Sequence, residues 1–203
     1  MFFEWNGRDP QYFDHYIDIL YKWRNTRDPF VLERGFHTMN ILRENANMGK
    51  TLELCSGDGF FTYYFYSKFS TQIDAIDYNL EAINFAKKNN SADNIKYILG
   101  DIKTQLPNGY YKNIIWDAGI DDFTEKETEF ILNEIYERLD DNGKISGYVS
   151  FQLDDSIGNN VIVDNELRIR KLLSNKFSNI LIFSKSDRSR QNTYFKAEKA
   201  NLF

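Results

Sequence analysis

Short apolar runs alternate with longer amphipathic segments along most of this chain, beginning near residue 50. The apolar runs predict seven strands, at Thr51–Cys55, Gln72–Asp77, Ile95–Leu99, Asn113–Asp117, Lys144–Phe151, Asn179–Ser184 and Asn192–Glu198. Segments with helical spacing lie between most of them, at Phe60–Phe69, Leu80–Asn89, Glu125–Leu139 and Glu166–Phe177. Such alternation favours an α/β fold, in which a mostly parallel sheet carries helices on both faces.

The end of the chain departs from this alternation. Only the short polar stretch 185–191 separates the last two predicted strands. A connection of that length cannot hold a crossover helix, so we expect those two strands to form an antiparallel hairpin.

The ends of the helix predicted at Glu125–Leu139 also have sequence signals. Thr124 and Glu127 have the spacing of a capping box at a helix start, and Asn142-Gly143 is predicted to end that helix.

The first 48 residues precede the predicted sheet and are predicted to form a helical extension. Apolar residues between Tyr12 and Trp23 recur at helical spacing, and Val31–Leu42 is a second predicted helix. We expect residues 1–48 to pack on the core, to cover a ligand as a lid, or to do both. Residues 49–203 are predicted to form the main domain, compact with this extension.

Composition and charge narrow the classes of function. The chain has 203 residues and a net charge of −5, which argues against a general nucleic-acid binder. Residues 165–203 nevertheless carry nine basic and three acidic side chains, a net +6 against −11 elsewhere. This basic stretch is either a solvated edge or a surface that attracts an anionic acceptor or partner.

One cysteine and two histidines cannot build a disulfide framework or a zinc cluster of the usual kind, so no metal site is predicted. The sequence shows no apolar run of membrane-spanning length and no signal-peptide pattern at its first residues. We therefore expect a cytoplasmic protein without a membrane partner.

A glycine-rich turn after the first predicted strand is the most informative motif. The run Glu53–Gly59, ELCSGDG, joins that strand to a helix. Gly57 and Gly59 lack Cβ, so a ligand can approach the backbone, and the N–H groups that open the helix face it. Asp77 ends the next strand 24 residues after Glu53, near the offset at which a carboxylate binds ribose hydroxyls. These features predict a site for a nucleotide-like cofactor.

Together, these motifs resemble in order the class I S-adenosylmethionine-dependent methyltransferases, whose fold is Rossmann-like. The resemblance covers residue 50 to the C-terminus, with Gly100-Asp101-Ile102 and Ile114–Asp117 matching later motifs and Arg138–Lys144 a helix-turn-strand segment. Cys55 replaces the first glycine of the family's turn. The resemblance implies S-adenosylmethionine as cofactor, held by Glu53, Cys55, Ser56, Gly57, Gly59, Asp77, Tyr78, Asp101, Ile102 and Asp117.

The implied activity is methyl transfer to an oxygen or nitrogen of a small molecule. The segments Glu33–His37 and Asp117–Phe123 resemble small-molecule members, including modifiers of sugars. His37, Asp117 and Asp121 are the candidate catalytic groups, with Asp122 a further acid beside them, because an oxygen or amine nucleophile benefits from a base.

Several alternatives remain at this point. Thr62 stands where a dinucleotide enzyme would have its third glycine, and no Gly-Lys-Ser/Thr phosphate loop occurs. Ala118-Gly119 follows Asp117 in place of the Pro-Pro-aromatic box of nucleobase amino-methylating enzymes. A cofactor-binding module without catalysis and an RNA or protein methyltransferase stay open, and the oligomeric state is not predicted.

Overall fold

The computed structural model describes residues 33–44, 48–117, 119–152, 165–186 and 190–199, so the predicted face from Tyr12 to Trp23 lies outside them. The strands are β1 (Lys50–Leu54), β2 (Gln72–Asp77), β3 (Ile95–Leu99), β4 (Tyr111–Asp117), β5 (Leu139–Gln152), β6 (Phe177–Ser186) and β7 (Arg190–Lys199). The helices are α1 (Glu33–Glu44), α2 (Phe60–Tyr64), α3 (Leu80–Asn89), α4 (Glu125–Arg138) and α5 (Asn165–Ser174), with 3-10 helices at Tyr66–Phe69 and Ile120–Asp122. None of these described helices is long and apolar enough to cross a membrane.

All seven strands belong to one sheet, in the order β3-β2-β1-β4-β5-β7-β6. Neighbours from β3 to β5 are parallel, whereas β7 runs antiparallel to both β5 and β6. The predicted mostly parallel sheet with a C-terminal antiparallel hairpin is therefore confirmed. The hairpin enters the sheet through its second strand, which separates β6 from β5.

Successive side chains in the central strands point to opposite faces of the sheet and build two separate cores. Leu52 and Trp116 pack in one cluster together with residues of α4 and α5. Ala75 and Ile115 pack in the other, with residues of α1, α2 and α3. Helices thus cover both faces, as the sequence predicted.

Several element boundaries differ from those predicted. The helix expected at Phe60–Phe69 is not continuous, because α2 ends at Tyr64 and a 3-10 helix follows. Strand β5 begins at Leu139, so that Asn142 (φ 59°) and Gly143 lie inside its range rather than before it. The register between β4 and β5 shifts there, after Tyr111. The capping box of α4 is confirmed, since Thr124 and Glu127 exchange both hydrogen bonds.

A buried carboxylate links the three central strands at their amino-terminal ends. Asp74 of β2 accepts hydrogen bonds from Tyr111 of β4 (2.8 Å) and Gln72 (2.9 Å), and Lys50 of β1 lies 2.7 Å from it. Burial alone would raise the pKa of Asp74, but these three partners lower it overall. The ionised carboxylate is therefore the form that stabilises the folded protein at neutral pH.

We expect Asp74→Ala to lower the free energy of unfolding by about 1.5–3 kcal/mol at pH 7, because Tyr111 and Lys50 lose their partner. The wild-type contribution is present above the unfolded pKa, about 4, and is lost as the pH falls below it. Urea unfolding at pH 7 and pH 3.5 measures both effects. The matched control is Asp93→Ala, at an exposed aspartate. An equal loss in the two variants at pH 7 would contradict the role of Asp74.

Candidate active site

Three acidic side chains lie at the carboxyl ends of neighbouring parallel strands, on the face that α1, α2 and α3 cover. Glu53 of β1 pairs in register with Ala75 of β2 and Ile115 of β4, so Asp77 and Asp117 lie two positions further along the flanking strands. A cavity of about 390 Å³ opens at this edge. Its lining includes every predicted cofactor residue except Gly59.

The turn after β1 is held against Asp77. The backbone N–H of Gly57 donates to Oδ2 of Asp77 (2.8 Å), and the N–H of Asn79 donates to Oδ1 (2.9 Å). Burial raises the pKa of Asp77, although these backbone donors partly offset the effect. Both oxygens keep a further lone pair, so the fixed carboxylate can also accept hydrogen bonds from a ligand in the cavity.

Cys55 has the left-handed backbone of a glycine, at φ 57°. This explains why the corresponding position of the related turn is a glycine, since a side chain is strained there. Its sulfur faces Gly119, where a Cβ would lie 3.4 Å from it. Burial raises the pKa of the Cys55 thiol, which therefore stays protonated and unreactive near neutral pH.

Gly59 is needed for packing and does not reach the cavity. Its φ is 73°, and a Cβ there would lie 2.2 Å from the hydroxyl oxygen of Tyr97. Tyr97 itself donates to the carbonyl of Asn90 (2.7 Å), so it is fixed in this place. Gly59 is absent from the cavity lining, and the ring of Tyr97 occupies the space beside it, so its predicted contact with the cofactor stays a prediction.

The opposite end of the cavity contains two buried carboxyl groups, Glu53 and Asp117, with few partners. Tyr66, at the start of its 3-10 helix, donates its hydroxyl to Oδ2 of Asp117. Oδ1 of Asp117 and Oε2 of Glu53 have no partner with hydrogen-bond geometry, although the nearby hydroxyls of Thr38 and Thr62 favour the ionised forms of Asp117 and Glu53. Burial raises the pKa of Glu53 to about 8. It raises the pKa of Asp117 to about 6, an effect that Arg34 and Tyr66 partly offset.

Arg34 of α1 is the cavity residue that sequence reasoning missed. Its guanidinium carbon lies 3.7 Å from the ring centroid of Phe61 and 5.5 Å from that of Tyr148. Burial alone would lower the pKa of Arg34, but Tyr148, Tyr66 and Asp117 raise it overall. Its place in the segment Glu33–His37 was the available signal, although the prediction selected the histidine of that segment.

His37 lies away from the cavity. Its ring packs against Phe183 and Tyr194 of the β6–β7 hairpin, and Nε2 lies 3.5 Å from the carbonyl oxygen of Phe195. Burial lowers the pKa of His37. The structure therefore does not bring His37 together with the other predicted catalytic groups. Asp121 lies in the 3-10 helix after β4, outside the described side chains, whereas Asp122 lines the cavity.

Comparison with known proteins identifies the architecture. Residues 51–143 match a family described as "Methyltransferase domain", whereas no curated protein matches the sequence. The N-methyltransferase NodS of Bradyrhizobium japonicum WM9, solved with S-adenosyl-L-homocysteine, is similar at a TM-score of 0.67 and 13% identity, covering 93% of this chain and 100% of NodS. DhpI, also solved with that ligand, has a TM-score of 0.56 and 13% identity over 89% of this chain and 92% of its own. The glycopeptide N-methyltransferase MtfA has a TM-score of 0.56 and 14% identity over 77% and 89% of the two chains.

Residues 51–143 thus match a methyltransferase domain, and the fold is that of the class I S-adenosylmethionine-dependent methyltransferases. The cavity fits its cofactor, because three buried side-chain acceptors there, Glu53 Oε2, Ser56 Oγ and Asp117 Oδ1, have no partner in the protein. S-adenosylmethionine carries hydroxyl, ammonium and sulfonium groups that such acceptors complement. The volume of the cavity also lies within the range of small-ligand pockets.

The buried Glu53 predicts a pH-dependent stability of the free methyltransferase. Its folded pKa is about 8, well above the unfolded value of about 4.3. Between these values the folded state binds more protons, so stability falls as the pH rises, by up to about 1.4 kcal/mol per pH unit from this group. We expect Glu53→Gln to reduce that slope and to be more stable than wild type at pH 7.5. Urea unfolding from pH 5.5 to 7.5 tests this, and an unchanged slope would show that Glu53 ionises normally.

Proposed function

We propose that this methyltransferase transfers the methyl group of S-adenosylmethionine to an oxygen or nitrogen atom of a small, sugar-like metabolite. The observation that supports this is the continuity of the cavity. It joins the Gly57–Asp77 corner to the Arg34–Asp117 corner within about 390 Å³. One end suits an adenosine group, and the other holds the groups that can bind an acceptor.

We assign the cofactor to the cavity as follows. The carboxylate of Asp77, fixed by Gly57 and Asn79, binds the ribose hydroxyls. Ile102 and Asp101, at the turn after β3, would hold the adenine. Glu53 and Ser56 supply acceptors for the amino-acid end, close to the carboxyl end of β1.

When bound, S-adenosylmethionine supplies an already activated methyl group. The work left to the protein is alignment and the exclusion of water, and alignment alone can lower a barrier by roughly 7–11 kcal/mol. The aromatic rings of Phe61, Tyr66 and Phe123 in the cavity wall suit a cationic sulfonium and keep the site of modest polarity. Asp117 lies at the end of β4 with one oxygen available to the acceptor.

Three of the nine basic residues of the C-terminal stretch make contacts within the protein. Lys185 is paired with Glu33, and Lys196 lies 2.6 Å from Glu44, both acids of α1. Lys199 donates to the carbonyl of Leu139 (2.7 Å). These three ammonium groups have partners within the protein, so they contribute little to a surface that would bind a polymer. Of the two cations in the described cavity lining, Arg34 lies at the acceptor end, whereas Lys103 lies beside Asp101 at the end assigned to adenine.

Two of the similar structures support methylation of a nitrogen atom. NodS and the glycopeptide enzyme MtfA are both N-methyltransferases. Their identity to this chain is low, so the acceptor and the cytoplasmic location stay predictions. The alternative is a protein that binds the cofactor without catalysis. It predicts cofactor binding but no methyl transfer to any acceptor, so a turnover assay distinguishes it from an enzyme.

Calorimetry with S-adenosylmethionine and S-adenosylhomocysteine tests the cofactor assignment. We expect both to bind the wild type, and Asp77→Ala to weaken both by about 10- to 150-fold, the equivalent of roughly 1.5–3 kcal/mol for charge-assisted hydrogen bonds. Asp93→Ala, at an exposed aspartate away from the cavity lining, should bind as wild type does. Unchanged affinity in Asp77→Ala would mean that the ribose lies elsewhere, and no binding to wild type at millimolar ligand would overturn the proposal.

A further inference from the structure

Helix α1 is attached to the rest of the protein differently in its two halves. The second half buries Ile41 and Leu42, and Leu42 packs in the core with residues of α2 and α3. The first half, residues 33–38, is described in full and buries no apolar side chain, since the ring of Phe36 is 43% exposed. Because apolar burial contributes little to holding this half, its polar and aromatic contacts decide where it lies.

A row of three aromatic rings lies under the first half of α1. Tyr148 of β5 and Phe183 of β6 each pair in register with Tyr194 of β7, which lies between them. The ring centroids of Tyr148 and Tyr194 are 5.8 Å apart, those of Tyr194 and Phe183 are 5.2 Å apart, and both pairs are stacked. Aromatic neighbours on adjacent strands stabilise one another at this spacing. This aromatic row is therefore a firm surface on which a helix can rest.

Two residues of α1 contact the hairpin end of the aromatic row. Glu33 and His37 are four residues apart and lie on the same side of the helix. The carboxylate of Glu33 pairs with Lys185 of β6 and accepts a hydrogen bond from the hydroxyl of Tyr194 (3.2 Å). The ring of His37 lies 5.1 Å from that of Tyr194 and 5.3 Å from that of Phe183. These contacts fix the first half of α1 on the β6–β7 hairpin.

Arg34 lies on the neighbouring side of the same helical turn and lines the cavity. Its guanidinium carbon is 3.7 Å from the ring centroid of Phe61 and 5.5 Å from that of Tyr148, at the other end of the aromatic row. Because Arg34 directly follows Glu33 in the helix, a movement of the first half of α1 also moves this guanidinium. The contacts of Glu33 and His37 therefore bear on the charge that faces the cavity.

We infer that the β6–β7 hairpin positions Arg34 in the cavity, with Glu33 and His37 as the positioning residues that hold α1 on the aromatic row. Lys185, which does not line the cavity, thereby controls a group that does. His37 has a role here without being a base. This role of the hairpin rests on the proposed function only where S-adenosylhomocysteine serves as a probe.

The arrangement couples the hairpin to whatever ligand contacts Arg34. The hairpin contacts and the ligand both favour the state in which the first half of α1 lies on the aromatic row. Two interactions that favour the same state strengthen each other by the same factor. A ligand in the cavity should therefore make α1 open less often, and a broken hairpin contact should make it open more often.

The NMR resonance of the Arg34 side chain tests the inference in the free protein. A guanidinium stacked on the ring of Phe61 has its Nε–H proton shifted upfield, and Arg34→Met identifies this resonance. Lys185→Glu brings two carboxylates together, so we expect the resonance to move toward those of exposed arginines. Adding Glu33→Lys restores opposite charges and should return it. Lys171→Glu, the same charge change at an exposed lysine of α5, should leave it in place.

Amide hydrogen exchange measures how firmly α1 is held. Amides 37–39 donate to carbonyls of the first helical turn, so they report on the first half. We expect Lys185→Glu to speed their exchange about 3- to 10-fold while amides of β1 and β4 keep their rates, and the double variant with Glu33→Lys to restore the wild-type rate. S-adenosylhomocysteine at 100 times its Kd should slow exchange at amides 37–39 at least about 10-fold, and less than about 3-fold in Arg34→Met at 100 times its own Kd.

Ring removal tests the contribution of His37. His37→Ala should move the Arg34 resonance and speed exchange at amides 37–39, as Lys185→Glu does. His37→Phe keeps a ring against the aromatic row and should retain the wild-type values. Equal effects of the two changes would contradict a positioning role for the ring of His37.

Several results would overturn the inference. One is an Arg34 resonance that does not move in Lys185→Glu, and another is a reversed Glu33–Lys185 pair that restores neither signal. Equal acceleration of exchange in α1, β1 and β4 would indicate a general loss of stability instead. Bound S-adenosylhomocysteine that leaves amides 37–39 unprotected would refute the coupling. Failure of S-adenosylhomocysteine to bind would refute the proposed function, whereas the measurements on the free protein would still decide the role of the hairpin.

Discussion

The alternation of side chains along parallel strands is the constraint on which this site depends. In β1, β2 and β4, Glu53, Asp77 and Asp117 all point to the face covered by α1, α2 and α3. A shift of one residue in any strand would turn its acid into the opposite core. The apolar residues between them, such as Leu52 and Ile115, fix that register through packing. The packing of the hydrophobic core therefore determines the geometry of the site.

The electrostatic arrangement follows from this placement. Acids at the strand ends are withdrawn from water, so burial raises the pKa of Glu53 and of Asp117. Hydrogen-bond donors and positive charges offset this effect of burial to different extents for the three acids. Asp77 receives backbone donors and Asp117 receives Tyr66 and Arg34, while Oε2 of Glu53 has no partner. Three of the described groups with unmet hydrogen-bonding capacity, those of Glu53, Ser56 and Asp117, line the cavity, where a bound cofactor can supply the missing partners.

The sequence was sufficient to predict the antiparallel hairpin and the acids at the strand ends, because both depend on local spacing. The interval 185–191 is too short for a crossover, and Asp77 directly follows an apolar strand. Gly59 is absent from the cavity lining and His37 lies apart from the other candidate groups, because the surroundings of both depend on distant residues. Tyr97 of β3 fills the space beside Gly59, and the β6–β7 hairpin takes up His37. Arg34 was missed because no local sequence pattern shows that its guanidinium would pack on the distant ring of Phe61.

The position of β7 in the sheet affects how this protein folds during its synthesis. Strand β6 is synthesised before β7, yet it reaches the sheet only through β7, which lies between it and β5. While the polypeptide is still leaving the ribosome, β6 lacks its neighbour and the edge of β5 stays open. Residues 190–199 must emerge before either edge is paired, so the synthesis of β7 controls when these two exposed edges stop favouring aggregation.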